Sequence, residues 1–442
     1  MGLRKSAIAG AVFAALILAA ACSSKGGGGG SSQSAQPLQG QTFTILGQWT
    51  SGEQDAFQAV LNDFNKRTGA VGQYSAASGG DMATVLGTMV SGGNPPDVAM
   101  LSLPGAIQQY AAAGKLQPAS STAQQVVKDN FATIWGDLGS ANGALYGIPF
   151  DASNKSTMWY NTTLFNNAGI KAAPTTWDEL KTTAQTLSAS GVSVPISIGG
   201  GDGWTLTDWF ENVYIRTAGL DNYDKLTHHQ IPWTDPTVTT ALNTLMEIWG
   251  DPAMIGSPAT AQTVTFTASV DNVFKAQPTS AIVFEGSFVA TTIVSDKNPA
   301  VVGTDAKVFP FPSVSGSPNS LVGGGDFAVQ FSANPAATAF MDYIGSADAA
   351  KALVTAPGSG FLSPNKNLDN AAYPNATSAQ LAKQIVDAGN GFRFDMSDQA
   401  PAAFGGTANA GEWSILQTLL GNGDVAAAQT ALEAAAAAVT WS

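Results

Sequence analysis

At 442 residues the chain exceeds the size at which one hydrophobic core stops growing, which predicts at least two lobes. Its formal charge of −13 disfavours nucleic acid, anionic lipid and anionic substrates as partners. A single cysteine excludes a disulfide framework, so apolar cores must hold the lobes together.

Arg4 and Lys5 precede an uncharged apolar run from Ala7 to Ala21, the n-region and h-region of an export signal. At about 15 residues the run is shorter than the ~20 a bilayer-spanning helix needs, so residues 1–21 read as cleaved. Leu18-Ala19-Ala20-Ala21-Cys22 resembles a bacterial lipoprotein signal, with Ala19 where leucine is usual. That resemblance implies acylation of Cys22 and anchoring to the outer face of the cytoplasmic membrane, in a periplasm or at the cell surface. The alternative is an Ala-x-Ala secretory site beside an incidental cysteine; a lone exported thiol favours acylation. Cleavage removes two bases and no acid, taking the net charge from −13 to about −15. Residues 22–40, with the run Gly26 to Gly30 and almost no apolar side chain up to Pro37, read as a flexible tether reaching ~20 Å.

From Thr42 short apolar runs alternate with helical periodicity, the signature of an α/β fold. Phe43, Ile45 and Trp49 mark a strand and its exit. Phe57, Val60, Leu61 and Phe64 put one apolar stripe on a helix ending near Gly69. A strand over 71–75 leads to a helix opened by Asp81, with Met82, Val85, Leu86 and Met89 inward. Asp97 to Leu101 reads as a buried strand, and Pro104 begins a helix that stops at Gly114. Three such units predict a parallel, doubly wound sheet. Beyond Tyr146 to Phe150 the alternation restarts. Thr176 and Glu179 form a capping box, 194–198 and 281–284 read as buried strands, and 208–218 and 238–249 as helices. Gly323 to Gly325 precede a strand over 327–331 and a helix from Pro335, and an alanine-rich helix closes the chain over 426–439.

Catalytic signatures are sparse. The two histidines, His228 and His229, are adjacent on a polar stretch, which rules out an i, i+4 zinc pair and reads as a solvated turn. The chain holds neither a G-x-S-x-G elbow nor a phosphate loop, and the glycines at 199–201 and 323–325 lack dinucleotide spacing. No metal, cofactor or catalytic residue is expected. A carboxylate pair of a lipid-anchored glycoside hydrolase stays open as the alternative, because such pairs have no sequence spacing.

In chain order, Phe64-Asn65-Lys66-Arg67-Thr68-Gly69, Gly92-Gly93-Asn94-Pro95-Pro96-Asp97-Val98, Tyr146-Gly147-Ile148-Pro149-Phe150, Trp159-Tyr160-Asn161, Pro174-Thr175-Thr176-Trp177-Asp178-Glu179-Leu180, Phe284-Glu285-Gly286-Ser287-Phe288, Phe309-Pro310-Phe311-Pro312 and Gly323-Gly324-Gly325-Asp326 resemble the family 1 extracellular solute-binding proteins of sugar ABC importers. Asn154-Lys155-Ser156, Gly203-Trp204, Thr207 to Glu211, Tyr223-Asp224, His229-Gln230-Ile231, Arg393-Phe394-Asp395 and Ser397-Asp398 resemble the α-glucoside-binding subgroup, with Glu285 where that subgroup tends to have glutamine. The resemblance implies an α/β, two-lobe periplasmic-binding-protein-like fold of type II, its discontinuous lobes joined by hinge crossings. The lobes are expected at 41–150 plus 323–366 and at 151–322 plus 367–442. It also implies a neutral sugar ligand held in the cleft by hinge closure, ABC permease subunits as partners, and a monomer.

A pyranose offers apolar C–H faces and a rim of hydroxyls, so a site needs flat aromatic surface and planar polar groups. Trp204 and Trp413 lie beside Gly or Glu in a polar loop or helix start and are the aromatic candidates, whereas Trp159 and Trp249 fit core positions. Glu53, Asn154, Lys155, Asp208, Glu285, Asp326 and Asp398 are the polar candidates, with Phe288 in the strand-end motif. Glu53 and Asp208 could equally be helix-start acids. Asp97 reads as a turn former.

Overall fold

The computed structural model describes residues 36–77, 82–317 and 320–441. The export signal, Cys22, most of the tether and the Asp81 cap lie outside the described residues. Residues 37–40, assigned to the tether by composition, form a turn against the folded part, where Leu38 N–H donates to Thr68 O at 2.8 Å.

The first sheet has the spatial order Val71–Ala76, Thr42–Gly47, Val98–Leu101, Phe327–Gln330, Gly147–Pro149. Its first three strands are parallel, as the repeated strand-helix pattern predicts. One strand corrects that expectation: Phe327–Gln330 runs antiparallel to both its neighbours, which leaves Gly147–Pro149 in the direction of the first three. The cause is connectivity, since Gly147–Pro149 leaves this sheet and Phe327–Gln330 returns to it from the same end, with Phe327 opposite Pro149. The helix Ser51–Thr68 presents Phe57, Val60, Leu61 and Phe64 to the core, all at most 2 % exposed. Each such side chain contributes about 1.5–3 kcal/mol of burial free energy. Gly69 stops the helix in the left-handed region at φ 80° and donates its N–H to Asn65 O.

A second sheet has the order Ala306–Pro310, Thr157–Asn161, Ser280–Phe284, Val194–Ser197. Against it packs a core rich in aromatics, with Trp209, Phe210, Trp233 and Trp249 at most 1 % exposed. The helix Trp204–Ala218 is buried from Thr205 to Arg216, which explains why its sequence shows no polar face. The Thr176–Glu179 capping box is present. The alanine-rich C-terminal helix spans Val425–Ala437, with Leu432 buried in the second core.

Three short strands link the two sheets: Phe392–Phe394, Leu321–Gly324 and Ser153–Asn154, in that order side by side. Gly323 pairs with both Asn154 and Phe394. A Cβ on Gly323 would come within 2.5 Å of the Phe392 ring and 2.9 Å of Ser153 O. One on Gly325 would reach 2.5 Å from Asp151 O. Close approach of the crossing strands, rather than an unusual backbone angle, is thus what these glycines serve.

Candidate functional site

A cavity of about 510 Å³ lies where the ends of the first-sheet strands meet the start of the helix Trp204–Ala218 and the three crossings. Gln48 and Trp49 follow the strand Thr42–Gly47, and Ser102 and Leu103 follow Val98–Leu101. The cavity therefore sits at the carboxyl ends of parallel strands, where ligands of open α/β sheets bind.

Two pairs of aromatic rings line it, Trp204 with Phe288 and Trp49 with Phe361. On the second-sheet side Trp204 packs against Phe288 with centroids 5.8 Å apart and against Phe266 at 5.2 Å. Gly286 allows the Phe288 ring to fold back, since a Cβ there would lie 2.4 Å from that ring. Gly203, at φ +82°, lets Trp413 close in, a Cβ on it falling 2.8 Å from the Trp413 Cβ. On the first-sheet side Trp49 meets Phe361 edge to face at 5.5 Å.

The polar part of the lining gathers around Lys155. Its ammonium is 2.5 Å from Asp395 Oδ2, 3.2 Å from Asp208 Oδ1 and 3.5 Å from Asp398 Oδ2. Burial alone would lower the Lys155 pKa, but Asp208, Asp395 and Asp398 outweigh it and hold the ammonium charged. Burial likewise works to raise Asp395, yet Lys155 and hydrogen bonds hold it below the usual carboxylate range. Ser397 Oγ and the Asp398 N–H also donate to its Oδ1, at 2.7 and 2.8 Å. Asp398 is pushed up to about 7 by burial and by the Asp395 charge. Glu285, behind this cluster, is pushed up to about 8 by burial.

A second carboxyl group of residues sits on the first-sheet side. Asp326 N–H donates to Asp151 Oδ1 at 2.6 Å, and Gln48 Nε2 donates to Asp326 Oδ1 at 3.4 Å. Burial, with the Glu53 charge nearby, pushes Asp326 up to about 7. Glu53 itself is raised by burial.

Of the ten residues singled out from the sequence, Glu53, Lys155, Trp204, Asp208, Phe288, Asp326, Asp398 and Trp413 line this cavity. Asn154 and Glu285 do not. Successive residues of a strand point to opposite faces, so Asn154 turns away from the side Lys155 takes. Its Nδ2 donates to Gln384 Oε1 at 2.9 Å and its Oδ1 accepts from Ser156 N. Glu285 follows the strand Ser280–Phe284 at 1 % exposure, both oxygens without a hydrogen-bond partner among the described residues. Trp49, Asp151, Ser287, Phe361 and Ser397 line the cavity and were not anticipated. Asp151, directly after the crossing at Phe150, could have been found from that crossing; Phe361 had no local signal.

The histidines stand elsewhere, in the turn the sequence suggests, with His228 exposed and His229 half-buried. Its Nε2 is 3.2 Å from Glu433 and its ring lies 5.1 Å from that of Trp441, at a φ of 50°. Asp97 accepts from Thr44 N–H at 2.8 Å and caps a turn with Ser332. Among the described residues no group of three His, Cys, Asp or Glu side chains could hold a metal ion. The cavity thus combines flat apolar surface with carboxyls and hydroxyls that accept, and an ammonium that donates.

The family model described as bacterial extracellular solute-binding protein matches residues 50–351. An α-glucosides-binding periplasmic protein, AglE, of Rhizobium meliloti is 32% identical over 382 residues, covering 83% of this chain and 81% of that protein. An osmoprotective compounds-binding protein, GgtB, of Synechocystis is 30% identical over 390 residues, covering 86% and 89%. Among solved structures, the bacterial solute receptor AcbH, described with a substrate preference for β-D-galactopyranose, superposes with a TM-score of 0.77 at 21% identity over 90% of this chain and 99% of that one. A chitin oligosaccharide binding protein gives 0.70 at 21% identity, over 90% and 99%. The fold is thus the two-lobe α/β arrangement of solute-binding proteins.

Proposed function

Because the chain belongs to the bacterial extracellular solute-binding protein family, we propose that it is the sugar receptor of an ABC importer. In this reading it holds a neutral α-glucoside or small oligosaccharide in the cavity and delivers it unchanged to the permease. The observation that carries it is that one cavity is lined by two aromatic pairs, Trp204 with Phe288 and Trp49 with Phe361, and by carboxyls gathered around one lysine. Rings cover the C–H faces of a pyranose, while the carboxyls accept its hydroxyl protons. The likeness to AglE supports the α-glucoside class. The cavity of about 510 Å³ falls in the range of small-ligand pockets.

The lobes are 41–150 plus 323–366 and 151–322 plus 367–442, and the ligand shifts their population toward the closed form by hinge motion. Cys22 carries the lipid that holds a monomer at the membrane, since one chain binds marginally and two hold. The carboxyls bind rather than catalyse. The test is intrinsic tryptophan fluorescence of the mature chain titrated with maltose, sucrose and trehalose. A saturable change with at least one supports the reading; a flat response to all neutral oligosaccharides overturns it.

A further inference from the structure

Asp151 and Asp326 approach each other at the point where two crossings run side by side. The Asp326 N–H is fixed on Asp151 Oδ1 at 2.6 Å, and burial together with the neighbouring Asp326 charge pushes the Asp151 carboxyl well above the usual range. Both are buried, at 3 and 8 % exposure, and both line the cavity. Two carboxyls in such contact cannot both ionise without strong repulsion, so one proton between them is the stable arrangement.

The groups facing the pair relieve it only in part: Gln48 Nε2 donates to Asp326 Oδ1 at 3.4 Å, and the Lys155 charge works to lower Asp326. Glu53, from the helix Ser51–Thr68, adds negative charge. Tyr74, from the strand Val71–Ala76, donates its hydroxyl to Trp49 O and, raised to about 12 chiefly by burial, stays neutral. Lys155 is the nearby cation, and its ammonium already faces Asp208, Asp395 and Asp398. Asp398, which also lines the cavity, adds a further carboxyl that the Asp326 charge works to raise.

Resting on the receptor reading above, we infer that Asp151 is a positioning residue: with Asp326 it forms one proton-sharing unit that presents Asp326 to the sugar and couples binding to uptake of a proton from solvent. A neutral sugar entering the cavity displaces the water that would solvate a second negative charge, so the bound form retains the shared proton to higher pH than the free form. Affinity then falls as pH rises above the range in which the free pair already holds its proton. Replacing Asp151 with Asn keeps the shape and the acceptor for the Asp326 N–H, and its amide donates to Asp326 without a titrating proton.

The test is calorimetry of the full mature chain with maltose, sucrose and trehalose at pH 5.5 to 9, in pairs of buffers of different ionisation enthalpy. For the wild type we expect uptake near zero at pH 5.5, rising toward about one proton per sugar above neutrality, with Kd weakening by up to about tenfold per pH unit there. Asp151→Asn and, independently, Asp326→Asn should each remove the pair's share of that uptake, whereas Asp348→Asn, exposed and outside the cavity, should retain it. Binding with no proton uptake and a flat Kd in the wild type, or full uptake persisting in Asp151→Asn, would overturn the inference and leave the receptor reading intact. Absence of binding for every sugar at every pH would overturn both.

Discussion

Lys155 places its ammonium 2.5 Å from a carboxylate oxygen of Asp395, 240 residues later in the chain. Each residue stands at a crossing: Lys155 follows the strand Ser153–Asn154 and Asp395 follows Phe392–Phe394. The pair therefore joins two of the three links between the sheets at the floor of the cavity.

Breaking that pair should be costly. Lys155→Met leaves Asp395 buried without its cation, and losing one partner of a buried ion pair typically costs about 3–5 kcal/mol. Urea denaturation should show a loss of that order. Replacing both partners, Lys155→Met with Asp395→Leu, should recover part of it.

The raised carboxyls make stability depend on pH in the direction opposite to ordinary acid denaturation. Asp326 and Asp398 titrate near 7 and Glu285 near 8 in the folded chain, against about 4 when unfolded. Between those values the native state binds more protons, so its stability falls as pH rises. The melting temperature without sugar should be higher at pH 5.5 than at 8.5, and Glu285→Gln should reduce the difference. Asp395, held low, adds an opposing loss only in strong acid.

Trp204 tests the aromatic lining. Removing a ring that covers a sugar face forfeits about 1.5–3 kcal/mol of burial, so Trp204→Ala should weaken Kd by roughly ten- to a hundredfold in calorimetry, with Trp204→Phe in between.

Gly323 tests the crossings. In Gly323→Ala the new methyl would meet the Phe392 ring at 2.5 Å and Ser153 O at 2.9 Å, so the strands must separate. Overpacking of this kind costs about 1–3 kcal/mol, measurable by urea denaturation. The rescue Gly323→Ala with Phe392→Leu should regain part of it.

Much of this molecule is legible along the chain because its larger elements are long and periodic. The stripe of Phe57, Val60, Leu61 and Phe64 announces one helix, and the Thr176–Glu179 box the start of another, Trp177–Ala189. Strand direction is another matter: nothing local in Phe327–Gln330 distinguishes a parallel strand from an antiparallel one, which depends on the end from which the chain returns. The crossing strands Ser153–Asn154 and Phe392–Phe394 are too short to carry a period. The candidate site divides along the same line. Lys155 and Asp326 were reachable from motifs at the crossings, Asp208 from the Thr207 to Glu211 stretch, and Trp204 from its polar surroundings. Asn154 differs from Lys155 only by the pleat, and Phe361 reaches Trp49 only through tertiary packing.

Native mass spectrometry of the mature chain with maltose, sucrose and trehalose, followed by mass analysis of the sugar released on denaturation, addresses the central claim most directly. The account predicts one disaccharide per polypeptide and recovery of that same disaccharide intact. Monosaccharides in the released fraction, or a spectrum holding only free protein with every sugar, would contradict it.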